Sequence, residues 1–167
     1  MSIATEHREG APGPPWWTFD PSTIEEIDEP RHPRLQQYAH QHTRDWSTTV
    51  SRADAFVFVT PGYNHSFPAA LKNALDFLSM EWADKPVGLA SYGGVSAGLR
   101  AATALKPVLA ALRMVPVVEA VSIPFLAEHI TADDEFVPTA QIEAGGKAML
   151  DELMRLTTVL RDLRETA

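Results

Sequence analysis

The run Ala55-Phe56-Val57-Phe58-Val59-Thr60 constrains this chain more than any other segment. It is continuously apolar, aromatic and β-branched, with no polar alternation, and Pro61-Gly62 ends it. Such a run reads as a strand covered on both faces, the usual situation in a parallel sheet. Parallel strands need crossover connections long enough to hold a helix, and the following residues supply them. Pro68 opens the helical stretch AALKNALDFLSMEW, at the first turn, where its missing N–H does no harm. Lys85-Pro86 leads into a second apolar strand, Val87-Gly88-Leu89-Ala90-Ser91, and Tyr92-Gly93-Gly94 turns the chain. Ser96 to Arg113 is Ala/Leu-rich and helical, with Pro107 expected to kink or split it. Met114 to Ile123 reads as a third strand. A helix from about Pro138 to Arg164 closes the sequence, with Ile142, Met149, Leu153, Leu156 and Leu160 on one stripe. Upstream, Leu35, Tyr38, His42, Trp46 and Val50 share a helical spacing over residues 34–51. Strands alternating with helices predict an α/β fold of right-handed βαβ crossovers.

With 167 residues the chain fits one domain, and a domain of this size buries roughly 70% of its extended-chain surface. Residues 1–15 are small, charged and Pro/Gly-rich and are expected to form a disordered tail. Residues 16–167 are then the single domain, with a short strand near Trp16–Phe19 ahead of loop. The net charge of -8 leaves no basic excess to neutralise phosphates, so neither nucleic acid nor an anionic membrane is expected as a partner. The N-terminus lacks an apolar signal-peptide core, and no stretch approaches the ~20 apolar residues that span a bilayer. There is no cysteine, which excludes disulfides, thiolate metal sites and cysteine nucleophiles and fits a cytoplasmic protein.

In an open parallel sheet, ligands bind beyond the carboxyl ends of the strands. Two loops stand there, Thr60 to Pro68 and Ser91 to Gly98. Their residues carry a specific resemblance. Pro61, Tyr63, Asn64, Ser66 and Pro68, followed by Leu71-Lys72-Asn73-Ala74, stand in the register of the NADPH-dependent FMN reductase family, a flavodoxin-like group that includes quinone, chromate and azo-dye reductases. Ser91-Tyr92-Gly93-Gly94 is similar to that family's second loop. The resemblance covers about Ala53 to Phe125. It implies a flavodoxin-like parallel sheet with helices on both faces, FMN as cofactor and NADPH or NADH as electron donor. It implies cofactor contacts from Pro61, Gly62, Tyr63, Asn64, His65, Ser66, Ser91, Tyr92, Gly93 and Gly94. Residue chemistry agrees: a flat ring with alternating donors and acceptors on one edge is met by backbone groups and the Asn64 amide, Tyr63 walls it, and glycine lets the backbone come close. No side-chain acid or base is singled out, because the hydride chemistry belongs to the cofactor.

This chain departs from the family pattern at two places. Gly62 stands where the family usually has Glu. The family's N-terminal strand and its Ser-rich phosphate loop are not found upstream of Trp16, so the fold is expected to be N-terminally shortened, with the edge of the first apolar strand left open. An open edge favours pairing, and the family implies a homodimer or homotetramer. Bland readings stand beside each feature. Tyr63-Asn64 also suits a plain turn, and Gly93-Gly94 a plain loop. His40 and His42, two apart, do not share one helix face. Trp46 and Trp82 suit core or subunit contacts. The leading expectation is an FMN-dependent NAD(P)H oxidoreductase passing electrons to quinones, free flavin or a similar small-molecule electron acceptor. The alternative is a shortened flavodoxin-like subunit without catalytic activity, serving assembly or regulation. A flavodoxin-type electron carrier is a third reading, disfavoured by the Tyr-Asn-x-Ser loop.

Overall fold

The computed structural model describes the backbone of residues 2–7 and all of residues 27–166. Three strands form the expected parallel core: β2 (Ala53–Pro61), β3 (Pro86–Gly93) and β4 (Val115–Pro124). Phe56 pairs with Val87 and Pro61 with Tyr92, so β2 and β3 end level with one another. β1 (Ser2–His7) lies antiparallel on the other edge of β2, with Ser2 opposite Val59 and His7 opposite Ala53. The order is β1-β2-β3-β4.

β1 corrects two expectations. Ser2–His7 lies within the segment read as a tail, yet it is a strand. The β2 edge expected to be open is occupied by it. The free N–H and C=O groups of β2 take any extended segment that reaches them, and Ser-Ile-Ala-Thr-Glu-His contains no proline or glycine to prevent extension. The strand expected near Trp16–Phe19, and residues 8–15, lie outside the described residues.

Helices cover both faces. On one face, α1 (Gln41–Arg52), α2 (Ala69–Asp76) and α3 (Leu99–Ala111) enclose Trp46, Phe56, Phe58, Trp82, Leu105 and Leu109, all buried. Trp82 stands edge-on to Trp46, Phe56 and Phe58, at centroid distances of 5.8, 5.1 and 6.2 Å, so both tryptophans belong to the core. On the other face α4 (Ala140–Thr166) packs Met149 and Leu153 against Ala55, Val117, Val121 and Ile123.

Three helices differ from the sequence reading. The first helix begins at Gln41, because His40 is extended at φ -94° and residues 33–35 form a separate 3-10 turn. The second ends at Asp76 and gives way to a 3-10 turn at Met80–Trp82. α3 runs unbroken through Pro107. Its proline is close to the C-terminus, and buried Leu105 and Leu109 on either side hold it to the sheet.

Candidate functional site

The two loops that follow β2 and β3 are physically joined. The Gly62 N–H donates to the Tyr92 carbonyl at 2.9 Å. A Cβ on Gly62 would sit 3.0 Å from the Gly98 Cα, so the loops touch backbone to backbone. Gly98 adopts φ +73°, and a Cβ there would fall 2.7 Å from the Tyr92 carbonyl oxygen and 2.9 Å from the Ser91 Cβ. Only glycine meets both demands at once.

Residues 63–66 form a miniature hairpin. Tyr63 and Ser66 exchange both backbone hydrogen bonds, each 2.8 Å. The two residues between them have positive φ, 46° at Asn64 and 69° at His65, as a type I′ turn requires. Asn suits this conformation and His adopts it more readily than most residues, although glycine is preferred at the second position. The turn leaves Tyr63 61% exposed, with Asn64 and His65 also in solvent.

The second loop is held from inside. Ser91 is buried, and its hydroxyl donates to the Ala97 carbonyl at 2.8 Å. The Gly94 carbonyl accepts from Ala97 N–H at 3.0 Å and from Phe125 N–H at 3.4 Å. Space beside Gly94 is open, with nothing within 4 Å of a notional Cβ. Burial, and secondarily the nearby Tyr63, push the Tyr92 hydroxyl above its ordinary pKa, which keeps it neutral. Neither loop contains Lys, Arg, Asp or Glu.

All ten residues singled out from the sequence therefore gather at one end of the sheet, but in different ways. Tyr63, Asn64, His65 and Gly94 face outward; Gly93 and Ser66 are half-buried; Pro61 and Ser91 are buried. The Ser91 side chain is committed to the loop. Two residues of the same region were not read from the sequence in a structural role. Gly98 is the point where the loops meet. Phe125 caps the end of β4 in a left-handed conformation, φ 46°, with 48% of its surface exposed beside Gly94. An Ile-Pro-Phe stretch at a strand end carries no pattern that separates it from ordinary core.

This geometry carries names when the chain is compared with known proteins. The family model for NADPH-dependent FMN reductases matches residues 18–128. The chain belongs to that family. It is 45% identical over 101 residues to the NAD(P)H-dependent FMN reductase C4B3.06c of Schizosaccharomyces pombe, covering 58% of this chain and 50% of that protein. It is 38% identical over 122 residues to the NAD(P)H-dependent FMN reductase LOT6 of Saccharomyces cerevisiae, covering 73% of this chain and 59% of that protein. The chain thus spans between half and three-fifths of the length of these relatives. Its fold is similar to that of FerB, a flavoenzyme NAD(P)H:acceptor oxidoreductase from Paracoccus denitrificans, with a TM-score of 0.58 at 22% identity over 85% of this chain and 78% of that one.

The fit to FMN is uneven. The open space beside Gly94, with Tyr63 near Tyr92 across the joined loops, suits a flat ring with a polar edge. β1 runs antiparallel, so the chain leaves it beside Ala53, at the end of the sheet away from the two loops.

Proposed function

We propose that this chain holds the ring of FMN on the β2–α2 and β3–α3 loops and serves the passage of electrons from NADPH or NADH to a small acceptor, a quinone or free flavin. The observation that carries this reading is the welding of the two loops through Gly62, Tyr92 and Gly98, which makes one continuous neutral floor from two strand ends. Relatives with matching segments include an NADPH:quinone oxidoreductase of Arabidopsis thaliana, 46% identical over 54 residues.

In this reading Tyr63 walls one face of the ring, the Asn64 amide and the loop backbone meet its polar edge, and Gly93 and Gly94 let it lie close to the chain. Pro61, Gly62, Ser66, Ser91 and Tyr92 fix the two loops, and His65 stands at the tip. Bound FMN supplies the two-electron chemistry. The residues bind, orient and desolvate it, and none is assigned a proton transfer. The protein works as a homodimer or homotetramer in the cytoplasm.

The test is titration by flavin fluorescence quenching. With the ring loops dominating, riboflavin binds within about tenfold of FMN, under ~1.4 kcal/mol apart. Protein that binds neither, and oxidises no NAD(P)H with added FMN and a quinone, overturns the reading. The alternative in that case is a non-catalytic, flavodoxin-like subunit in assembly or regulation. Light scattering that gives a monomer at micromolar concentration counts against the proposed oligomer.

A further inference from the structure

A cavity of about 730 Å³ opens between the end of β4 and the start of α4, directly behind the second loop. Val95 and Ala97 of that loop form one wall, Val121 and Pro124 of β4 a second, and Ile142 with Gly145 of α4 a third. Ser122, His129, Thr139 and Gln141 bring polar atoms to the same space. Among the described residues no Lys, Arg, Asp or Glu lines it.

The sequence of α4 explains why the gap exists. From Met149 onward the helix sends large side chains onto the sheet, and the Met149 thioether rests against Gly88, where a Cβ would lie 2.9 Å from its sulfur. About one turn earlier the same helix carries Ala144-Gly145-Gly146. Helix-interior glycine is costly and usually repaid by close packing. Here it is not repaid. A Cβ on Gly145 would find nothing nearer than the Ala120 carbonyl oxygen at 3.8 Å, and one on Gly146 nothing nearer than Val121 at 4.0 Å. An added Cβ meets no clash at either position, and Gly145 lines the cavity.

The geometry points to a second small-molecule site, separate from the ring floor, that takes a neutral ring compound bearing carbonyl acceptors. The volume falls within the range of ligand pockets. Aliphatic walls on three sides suit an apolar ring body. His129, Gln141 and the Ser122 hydroxyl supply donors for carbonyl oxygens, while the Thr139 hydroxyl already accepts from Ile142 N–H at 3.3 Å. With no ionic partner among the described lining residues, a charged ligand finds there no compensation for the water it loses. Because Val95 and Ala97 belong to the same loop as Gly93 and Gly94, an occupant stands against the loop that carries the proposed ring floor.

The cavity itself does not depend on the proposed function, and the experiment keeps the two apart. The full chain, 15N-labelled, is titrated with 1,4-naphthoquinone without added FMN. Saturable shifts confined to residues 95–97, 120–124 and 139–146 are expected. Gly145→Leu weakens the probe at least about tenfold, a difference of the size that one filled contact site makes, and leaves FMN affinity as in the parent chain. Should Gly145→Leu fold poorly, the double substitution His129→Ala with Gln141→Ala, both outside the core, gives the same weakening. Shifts centred on residues 61–66 and 91–94, no saturable shifts, or unchanged binding in a folded variant overturn the second site. Failure of FMN to bind leaves this result standing and bears only on the proposed function.

Discussion

At the scale of single residues the site depends on backbone geometry more than on side-chain chemistry. Gly98 carries two demands, a left-handed φ and contact with Gly62. Gly98→Ala adds a Cβ 2.7–2.9 Å from atoms of Tyr92 and Ser91. Left-handed strain together with overpacking costs about 2–4 kcal/mol, read as a lower urea midpoint at unchanged slope. FMN affinity falls with it, because the loops must part. His65 makes the opposite case. It occupies the second position of a type I′ turn at φ 69°, where glycine is preferred. His65→Gly creates Asn-Gly and stabilises the fold by about 0.5–1 kcal/mol, with the loop shape kept, so any fall in FMN affinity in this variant reports the imidazole itself. Tyr63, Asn64 and the Gly pair were legible in the sequence because their motif is contiguous. Gly98 lay in the quoted loop without a role, since its function is a contact between two loops that only the fold brings together. The Gly62 departure from the family acquires a meaning in the same way: a side chain there would press on Gly98.

At the scale of elements, strands were read closely and helix ends were not. β2, β3 and β4 start and stop within about two residues of the sequence reading, because apolar β-branched runs and Pro/Gly punctuation mark them. α1 shows what periodicity misses. Leu35 and Tyr38 fall on the helical spacing, yet residues 36–40 are held by other bonds. Glu29 accepts from the N–H groups of Ala39 and His40, at 2.6 and 3.0 Å, which stops the helix at His40. With His40 outside the helix, its ring stacks on His42 at 5.4 Å, although two residues apart on a helix they would diverge. Tyr38 instead reaches across to the 3-10 turn after α2. Its hydroxyl donates to Glu81 Oε1 at 2.7 Å, and Ser47 of α1 donates to the same oxygen at 2.8 Å. Burial opposes ionisation of Glu81, but the bonds from Tyr38 and Ser47 outweigh it and hold the carboxyl below its usual range. A carboxyl whose folded pKa is depressed stabilises the fold above its unfolded value, near 4.3, and loses that contribution as pH falls through the folded value. Thermal stability therefore declines below about pH 4.3, and Glu81→Gln removes part of this acid limb. Burial first, then the Glu81 carboxylate, push the Tyr38 hydroxyl upward. That contribution is complete below its unfolded value near 10 and fades as pH rises above it, so Tyr38→Phe flattens the alkaline limb of the same melting series.

At the scale of the whole molecule the two sheet faces are unequally served. Three helices cover one face, while α4 alone covers the other among the described residues. The parallel core was foreseeable, since only a sheet clothed on both sides accepts strands as apolar as β2. The antiparallel β1 was not, because its pairing follows from an available edge rather than from a hydrophobic pattern of its own. The dependence on α4 locates a weak point. Its last turn is fastened by Arg164, whose guanidinium donates to Asp54 Oδ1 at 2.6 Å and to the Asp84 carbonyl at 2.8 Å. Both side chains of the ion pair are largely buried, 16% and 11% exposed. Arg164→Ala leaves the Asp54 carboxylate buried without this partner, and removing one member of such a pair costs about 3–5 kcal/mol. The loss falls on one element. Hydrogen exchange should quicken throughout α4 while amides of β2, β3 and α3 keep their protection, because the other core is anchored independently on the opposite face. The joined loops sit at the far end of the sheet, so FMN affinity of the folded fraction stays near that of the parent chain. Uniform acceleration across all strands would mean that the two faces unfold as one unit and that α4 is not the separable part.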